Sequence, residues 1–180
     1  RITLVDKAVS ETDGKVSFYP FDLNKYNNMG ASSLFKIDFS RRRKGDPDYN
    51  KPNPQKHILV DGIRLDTYLA ENDHIPGIDL ICMDLQGYEL NALKSLGNHL
   101  HRVKYIITEC SIESNYDGGA NFSELQEFLL DYGFSYKCSN KFKYSMPEPI
   151  KYCPEFDSLF VNERAVQSIP LSVGRRLIQK

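Results

Sequence analysis

The chain alternates β-rich runs with amphipathic segments from His57 onward, and this alternation limits the fold more than any other feature of the sequence. Strands that alternate with helices are typical of parallel βαβ units, so we predict an α/β domain. The predicted elements after His57 are, in chain order, a strand in "HILVDGI", a helix over Leu65–Glu71, a strand over Ile78–Met83, a helix over residues 88 to about 100, a strand in "VKYIITEC", a helix that Asn121 caps and Gly133 ends, and strands in "FSYKC" and "DSLFVN".

The segment before His57 is predicted to begin within a sheet. The runs "ITLVDKAV" and "KVSFYPF" are β-rich, and the turn-forming pair Asp13-Gly14 between them predicts that the two strands are neighbours. The run "ASSLFKIDF" is a candidate for a further strand. Residues 41–56 are charged, contain prolines and show no periodicity, which predicts a solvated loop.

The composition is that of an ordinary globular protein and excludes several classes of function. With 41% hydrophobic residues, 26% charged residues and a net charge of -1, the chain has no bulk attraction to nucleic acid or to an acidic membrane. No apolar run approaches the roughly 20 residues that span a bilayer, and the first residues have no signal-peptide pattern, so we expect a cytoplasmic protein. The four cysteines form no C-x-x-C pair and the four histidines lack metal-ligand spacing, which predicts reduced, buried thiols, surface histidines and no metal site.

Two predicted strands end in acidic residues, and these acids are candidates for a functional site. Asp84 directly follows the apolar strand Ile78–Met83, which we expect to be a central strand covered on both faces, and Glu109 ends the strand in "VKYIITEC". Because ligands of open parallel sheets bind beyond the carboxyl ends of the strands, both carboxylates are predicted to reach one rim. Structural roles are also open: Asp84 as the cap of the next helix, and Glu109 as the partner of a basic side chain.

The turn between Asp84 and the next helix carries two further signals. Gly87 is predicted to need either a positive φ or a close approach to a neighbouring loop. Glu89, in the first turn of the helix, is interpreted as a structural residue that faces the helix dipole and forms a salt bridge. The buried faces of this helix and of the later one are predicted to consist of Leu90, Leu93, Leu96 and Leu100, and of Leu125, Phe128, Leu129 and Tyr132.

Seven segments in one order carry a family resemblance. They are "AVSETDGKVSFY", "GASSLF", "RLDTYL", "IDLICMDLQGYELNALKSL", "VKYIITEC", "FSELQEFLLDYGF" and "DSLFVN". Together they resemble the FkbM family of S-adenosylmethionine-dependent methyltransferases, and the fourth segment, an apolar strand followed by Asp-x-x-Gly-x-Glu and a helix, is the most characteristic. The resemblance extends from Ala8 to Asn162. It implies a Rossmann-like methyltransferase sheet, mostly parallel, with an antiparallel strand near the C-terminus.

The resemblance also implies a cofactor and a reaction. The cofactor would be S-adenosylmethionine, and the methyl acceptor a hydroxyl group of a sugar, another glycan or a small metabolite. Asp84 is assigned to the rim beside the cofactor, as base or as orienter of the acceptor hydroxyl, and Glu109 as a second catalytic carboxylate. Lys7 and Ala8 fall where the third strand of such a sheet borders the adenine, and together with Asp84 they are the expected cofactor-binding residues.

The start of the chain departs from the family pattern. No G-x-G sequence occurs, and residue 1 already falls in the strand expected third, so we expect the N-terminal strands and their glycine-rich turn to be missing. This predicts a partial methyltransferase domain over residues 1–162 and a C-terminal tail over residues 163–180, with a surface helix broken at Pro170. The next strand would then be an exposed edge, which favours a homodimer or an omitted N-terminal segment.

Two other functions are compatible with the sequence. A non-catalytic interaction module would keep the fold without the glycine-rich turn. The run "LICMDLQG" also has features of the nucleophile block of haloacid-dehalogenase-like phosphatases. Gln86 stands where that block needs its second acid, and Tyr88 stands where a small hydroxyl residue is expected, so the phosphatase interpretation is disfavoured.

Overall fold

The strands of the computed structural model form two sheets. The structure describes residues 2–22, 24, 30–38, 55–140 and 155–167. The first sheet contains β1 (Ala8–Val9), β2 (Gly14–Phe18) and β3 (Ile58–Ile63) in the order β1-β3-β2. The second contains β4 (Ile78–Met83), β5 (Val103–Ser111), β6 (Phe134–Ser139) and β7 (Glu155–Asn162) in the order β4-β5-β7-β6. The helices are α1 (Leu65–Glu71), α2 (Glu89–Lys94), a 3₁₀ helix (Gly97–Arg102), α3 (Phe122–Asp131) and α4 (Glu163–Gln167).

Both sheets are mixed. β1 runs parallel to β3, and β4 runs parallel to β5. The pairings β2–β3, β5–β7 and β6–β7 are antiparallel. The predicted α/β class is therefore confirmed, and β7 supplies the expected antiparallel strand near the C-terminus. A mostly parallel sheet is not confirmed, because β2 folds back on β3 and β7 runs against both of its neighbours.

β1 and β2 are not neighbours, so the pairing predicted from the turn between them is wrong. β3 lies between the two strands, and its Gly62 pairs with Ala8 on one side and with Gly14 on the other. The connection passes the end of β3, where the N–H of Ser10 donates to the carbonyl of Ile63 at 2.9 Å. A turn signal in the sequence marks where the chain bends, but it does not show which strand the chain then joins.

In the described part of the chain β4 is an edge strand with one exposed face, which corrects the expectation of a central strand covered on both faces. Among the described residues, β4 pairs only with β5. Leu80 is 50% exposed and lies beside the partly exposed Tyr105 of β5. The opposite face is packed, since Met83 belongs to the same core cluster as Leu93 and Ile106. The apolar run predicts a strand correctly, but it does not determine how many layers cover that strand.

α2 is shorter than predicted, because the helix ends at Lys94 and the chain continues through a turn into the 3₁₀ helix. The break occurs at Ser95, whose hydroxyl donates to the carbonyl of Ala92 at 2.7 Å and whose own carbonyl accepts from the N–H of Asp66 at 2.9 Å. Gly97 follows with a φ of 51°. The predicted apolar face persists through this break, and its buried members are Leu93, Leu96 and Leu100.

α3 begins and ends as the sequence predicts. The Asn121 side chain accepts from the N–H of Glu124 at 3.0 Å, and the Glu124 carboxylate accepts from the N–H of Asn121 at 2.8 Å, which forms the expected capping box. Gly133, with a φ of 87°, follows the end of the helix. The stripe that packs into the core, buried or partly buried, consists of Leu125, Phe128, Leu129 and Tyr132.

Several smaller predictions have mixed outcomes. Residues 31–38 form only isolated bridges, which join Ser33 to Tyr19 and Ile37 to Tyr116, so the strand predicted there is absent from this described stretch. Residues 41–54 and Pro170 lie outside the described residues.

The described cysteines differ in burial. Cys110 is a free, buried thiol, as expected. Cys82 and Cys138 are free but exposed, which corrects the prediction of buried thiols; Cys82 is exposed because it lies on the uncovered face of β4. Cys153 lies outside the described residues. Within those same ranges, no helix is long and apolar enough to cross a membrane.

Candidate active site

The turn that follows β4 carries the candidate active site. Asp84 is exposed at the carboxyl end of β4, where the sequence places it. It does not cap the next helix, because the N-cap position of α2 is Tyr88 and no side chain caps that helix. Gln86 and Gly87 follow with φ values of 55° and 92°. Two consecutive residues in the left-handed region turn the chain sharply from the strand into α2.

Gly87 has both features that the sequence predicts as alternatives. Its φ is positive, and a Cβ atom at this position would lie 2.8 Å from carbon atoms of the Tyr116 side chain. Tyr116 belongs to the loop after β5 and is buried. The absence of a side chain at Gly87 therefore allows this loop to pack directly on the turn after β4.

Glu109 reaches the same place from β5. The strand extends to Ser111, so Glu109 lies within β5 and not at its end. Met83 pairs with Thr108, which places the next residues of the two strands, Asp84 and Glu109, side by side. The structure thus brings the two predicted catalytic carboxylates together, while their catalytic role stays a prediction.

Gln86 lies between these two carboxylates. Its side-chain Nε2 donates to Asp84 Oδ1 at 2.6 Å and to Glu109 Oε2 at 3.0 Å. Its Oε1 accepts from the hydroxyl of Tyr116 at 2.7 Å. The amide therefore uses both of its N–H donors and its oxygen, and it links the ends of β4 and β5 to the loop that follows β5.

Glu89 stabilises the turn from its inner side. Its carboxylate is buried and accepts from the N–H groups of Leu85 at 2.8 Å and Gly87 at 3.2 Å. Burial raises the pKa of Glu89. The expected structural role is therefore supported, although Glu89 fulfils it by binding the backbone of the turn, with no salt bridge to it among the described residues.

The site is electrostatically negative around Glu109. Burial, and after it the neighbouring carboxylates Glu155, Asp84, Glu89 and Asp157 in that order of importance, together raise the pKa of this carboxyl to about 8. In the part of the chain that the structure describes, no Lys or Arg forms a salt bridge with Glu109. The sequence allows a structural role for Glu109 as the partner of a basic side chain, and no such partner is found among the described residues. Near neutral pH, Glu109 retains a proton while an ordinary glutamate has lost it.

An open apolar groove leads along β4 to Asp84. Its volume is about 460 Å³, and it lies between β4 and the helices α1 and α2, with Val9 of β1 on its far side. Ala8, a predicted cofactor residue, directly precedes Val9 in β1. Asp84, which is also predicted to bind the cofactor, lines the groove itself, whereas Lys7, the third such residue, lines a separate hollow with Asp13.

The three carboxylates of the site also have a spacing that a cation could bridge. Asp84, Glu89 and Glu109 each offer one oxygen, and these oxygens lie within 4.8 Å of one another. The amide N–H groups of Gln86 already point at two of them, and a cation in that position would repel these donors. The arrangement thus favours an amide-bridged carboxylate pair, and the expectation of no metal stays a prediction.

Sequence reasoning did not identify Gln86 and Tyr116 as parts of the site. In the sequence, Gln86 stands where a phosphatase motif needs its second acid, which does not indicate a contact with both carboxylates. Its two-residue spacing from Asp84 was the available signal. Tyr116 lies in a segment without periodicity, 30 positions away from the amide it binds, and no sequence signal connects the two.

The structure is that of an α/β protein with two carboxyl groups, Asp84 just after β4 and Glu109 near the end of the parallel strand β5, beside an apolar groove, which is where open α/β sheets bind their ligands. The family model of the methyltransferase FkbM domain matches residues 2–136. The chain therefore belongs to the FkbM methyltransferase family, which confirms the resemblance seen in the sequence.

The chain is also similar to the 2-O-methyltransferase NoeI of Sinorhizobium fredii (strain NBRC 101917 / NGR234). The two are 28% identical over 120 residues, which are 66% of this chain and 47% of the relative. The match thus spans about half the length of that curated relative. No solved structure matches the chain.

Proposed function

We propose that the chain carries the carboxylate rim of an S-adenosylmethionine-dependent O-methyltransferase, and that its acceptor is a hydroxyl group of a sugar or a small metabolite. The observation that carries the proposal is the position of Asp84, exposed at the end of an apolar groove and linked to Glu109 through the amide of Gln86. Family membership supports methyl transfer. The name of the relative NoeI, a 2-O-methyltransferase, supports oxygen as the accepting atom.

The chemistry of the groove and the rim suits this cofactor. S-adenosylmethionine, when bound, supplies a methyl group that is already activated on a positively charged sulfur. The apolar groove beside Val9 offers a surface for a flat adenine ring, and the carboxylate of Asp84, beside Glu109, offers negative charge for the cationic end. The chain's own task is then to hold the acceptor in line and to exclude water.

Asp84 is the residue that we assign to the acceptor. One of its oxygens is bound to Gln86, and the other, Oδ2, has no hydrogen-bond partner among the described residues. Asp84 Oδ2 accepts a hydrogen bond from the hydroxyl group of the methyl acceptor. It takes the proton of that hydroxyl as the hydroxyl oxygen is methylated. Since a carboxylate is a weak base for an alcohol, orientation is the larger contribution. Glu109, which keeps its proton to higher pH, limits the negative charge beside Asp84.

Substitution of Asp84 by asparagine tests this proposal in the full product of the gene. Transfer of a radioactive methyl group from S-adenosylmethionine to a panel of monosaccharides is measured for Asp84→Asn and for the control Asp79→Asn. Asp79 lies on the same strand, is exposed and bonds to Lys104, away from the rim. We expect a loss of about 100-fold or more for Asp84→Asn and an unchanged rate for Asp79→Asn. An unchanged rate for Asp84→Asn, with the fold intact by circular dichroism, would remove Asp84 from the mechanism.

A non-catalytic interaction module is the second candidate. The observation that favours it is the absence of a G-x-G sequence from these 180 residues. A module of this kind would keep the carboxylate rim intact while the full gene product bound no S-adenosylmethionine.

The expected homodimer is part of the proposal as well. The outer edge of β4 is unpaired among the described residues, and Leu80 is half exposed beside it. An edge of this kind can pair with the same edge of a second copy.

A further inference from the structure

The side-chain amide of Gln86 is held from two directions. On one side it donates to Asp84 and Glu109, and on the other it accepts from Tyr116 at 2.7 Å. The Tyr116 hydroxyl also lies 3.3 Å from the carbonyl of Ala31, so a second acceptor lies near it, but the bond to Gln86 is the shorter one. Burial raises the pKa of Tyr116, which keeps this hydroxyl a neutral donor. Because the hydroxyl donates to Oε1, the amide nitrogen must face the carboxylates.

The backbone of Gln86 supports the same orientation. A φ of 55° is uncommon for a residue other than glycine and costs of the order of 1 kcal/mol or more. The surroundings maintain this conformation, because Glu89 binds the N–H groups on both sides of Gln86 and the ring of Tyr116 packs on Gly87. The unusual conformation directs the side chain to the two carboxylates.

An amide suits this position better than a carboxylate would. Two carboxyl groups side by side repel each other once both are ionised, which for Asp84 and Glu109 happens above about pH 8, and hydrogen-bond donors then allow them to stay close. The amide supplies one N–H to each and adds no charge. An acid at position 86 would add one more negative group to a site that already contains Asp84, Glu89 and Glu109.

We propose that Gln86 is a positioning residue: its amide, oriented by Tyr116, holds Asp84 and Glu109 together and leaves Asp84 Oδ2 available to the methyl acceptor. The inference rests on the proposed function for its catalytic part. The contact of the amide with the two carboxylates can be tested without any methyl transfer.

The test is a carboxyl-carbon NMR titration of Glu109 in the 180-residue chain. The groups that face Glu109 from the elements around it are Asp84, Glu89, Glu155 and Asp157, and they stay the same in every variant. Gln86→Met removes the amide at nearly constant size. The ionised form of Glu109 then loses a donor, so its midpoint, about 8, should rise by about one pH unit.

Two further variants separate positioning from a purely structural effect. Tyr116→Phe keeps the ring on Gly87 but frees the amide to rotate, and it should move the Glu109 midpoint in the same direction by a smaller amount. Gln126→Met, the same change on an exposed position of α3, should leave the midpoint where it is. An unchanged Glu109 midpoint in a folded Gln86→Met or Tyr116→Phe chain would overturn the inference.

The effect of Gln86 on catalysis is measured as the rate of methyl transfer by the full gene product. Gln86→Met should lower kcat by about tenfold or more, with the KM for S-adenosylmethionine nearly unchanged, since the amide acts on the carboxylates and not on the cofactor. A shifted Glu109 midpoint with an unchanged kcat would overturn the positioning role. Absence of transfer by the unsubstituted protein would overturn the proposed function, and the titration would still report on the amide contact.

Discussion

Gly87→Ala should be strongly destabilising, for two reasons that can be measured separately. The left-handed φ of 92° costs an alanine about 1 kcal/mol relative to glycine. The new Cβ would also lie 2.8 Å from three carbon atoms of Tyr116, a side chain that its hydroxyl bond to Gln86 keeps in place. Overpacking of this kind costs about 2 kcal/mol, so the total should be about 3 kcal/mol.

Gly14→Ala is the matched control. Gly14 has a similar φ of 98°, but a Cβ there would have no atom within 4 Å. The free energy of unfolding, measured in urea at 25 °C, should therefore fall by about 1 kcal/mol for Gly14→Ala and by about 3 kcal/mol for Gly87→Ala. In a Tyr116→Ala background the Gly87 substitution should cost only about 1 kcal/mol. Equal costs at Gly87 with and without the tyrosine ring would refute the close approach.

Two further predictions concern pH and self-association. The folded chain keeps the Glu109 proton until about pH 8, whereas the unfolded chain releases it near 4.5, so this group lowers the stability as the pH rises through that window. Glu109→Gln should flatten the decline in a series of urea melts, and an equally steep decline in the variant would show that other groups cause it. Leu80→Lys should dissociate the proposed homodimer in sedimentation velocity, and a monomeric unsubstituted protein would contradict the β4 interface.

Local rules predicted the elements that depend on nearby residues. The capping box between Asn121 and Glu124 and the glycine at position 133 fixed the ends of α3, because the groups that satisfy one another lie within three residues. The apolar run Ile78–Met83 and the acid after it placed Asp84 at the end of a strand for the same reason. Glu109 was predicted as a candidate because an acid also follows the apolar residues of its own strand.

Features that depend on distant residues could not be predicted in this way. The insertion of β3 between β1 and β2 brings together residues at least 40 positions apart, and the turn at Gly14 contains no information about that partner. The position of β4 at an edge likewise depends on what lies beside it, not on its own apolar residues. The contact of Gln86 with Tyr116 requires Gln86 to adopt a left-handed backbone conformation, which is uncommon for residues other than glycine and is not expected from the sequence.

Binding of S-adenosylmethionine, measured by calorimetry, tests the central claim most directly. The groove beside β4 is open among the described residues, and a ligand site normally encloses most of its ligand, so we predict no saturable binding by the 180-residue chain at millimolar cofactor. For the full product of the gene we predict saturable binding that depends on the rim formed by Asp84 and Glu109. Tight binding by the 180 residues would contradict the expectation that an open groove holds this cofactor only weakly, and absence of binding by the full gene product would contradict methyl transfer itself and favour the interaction module.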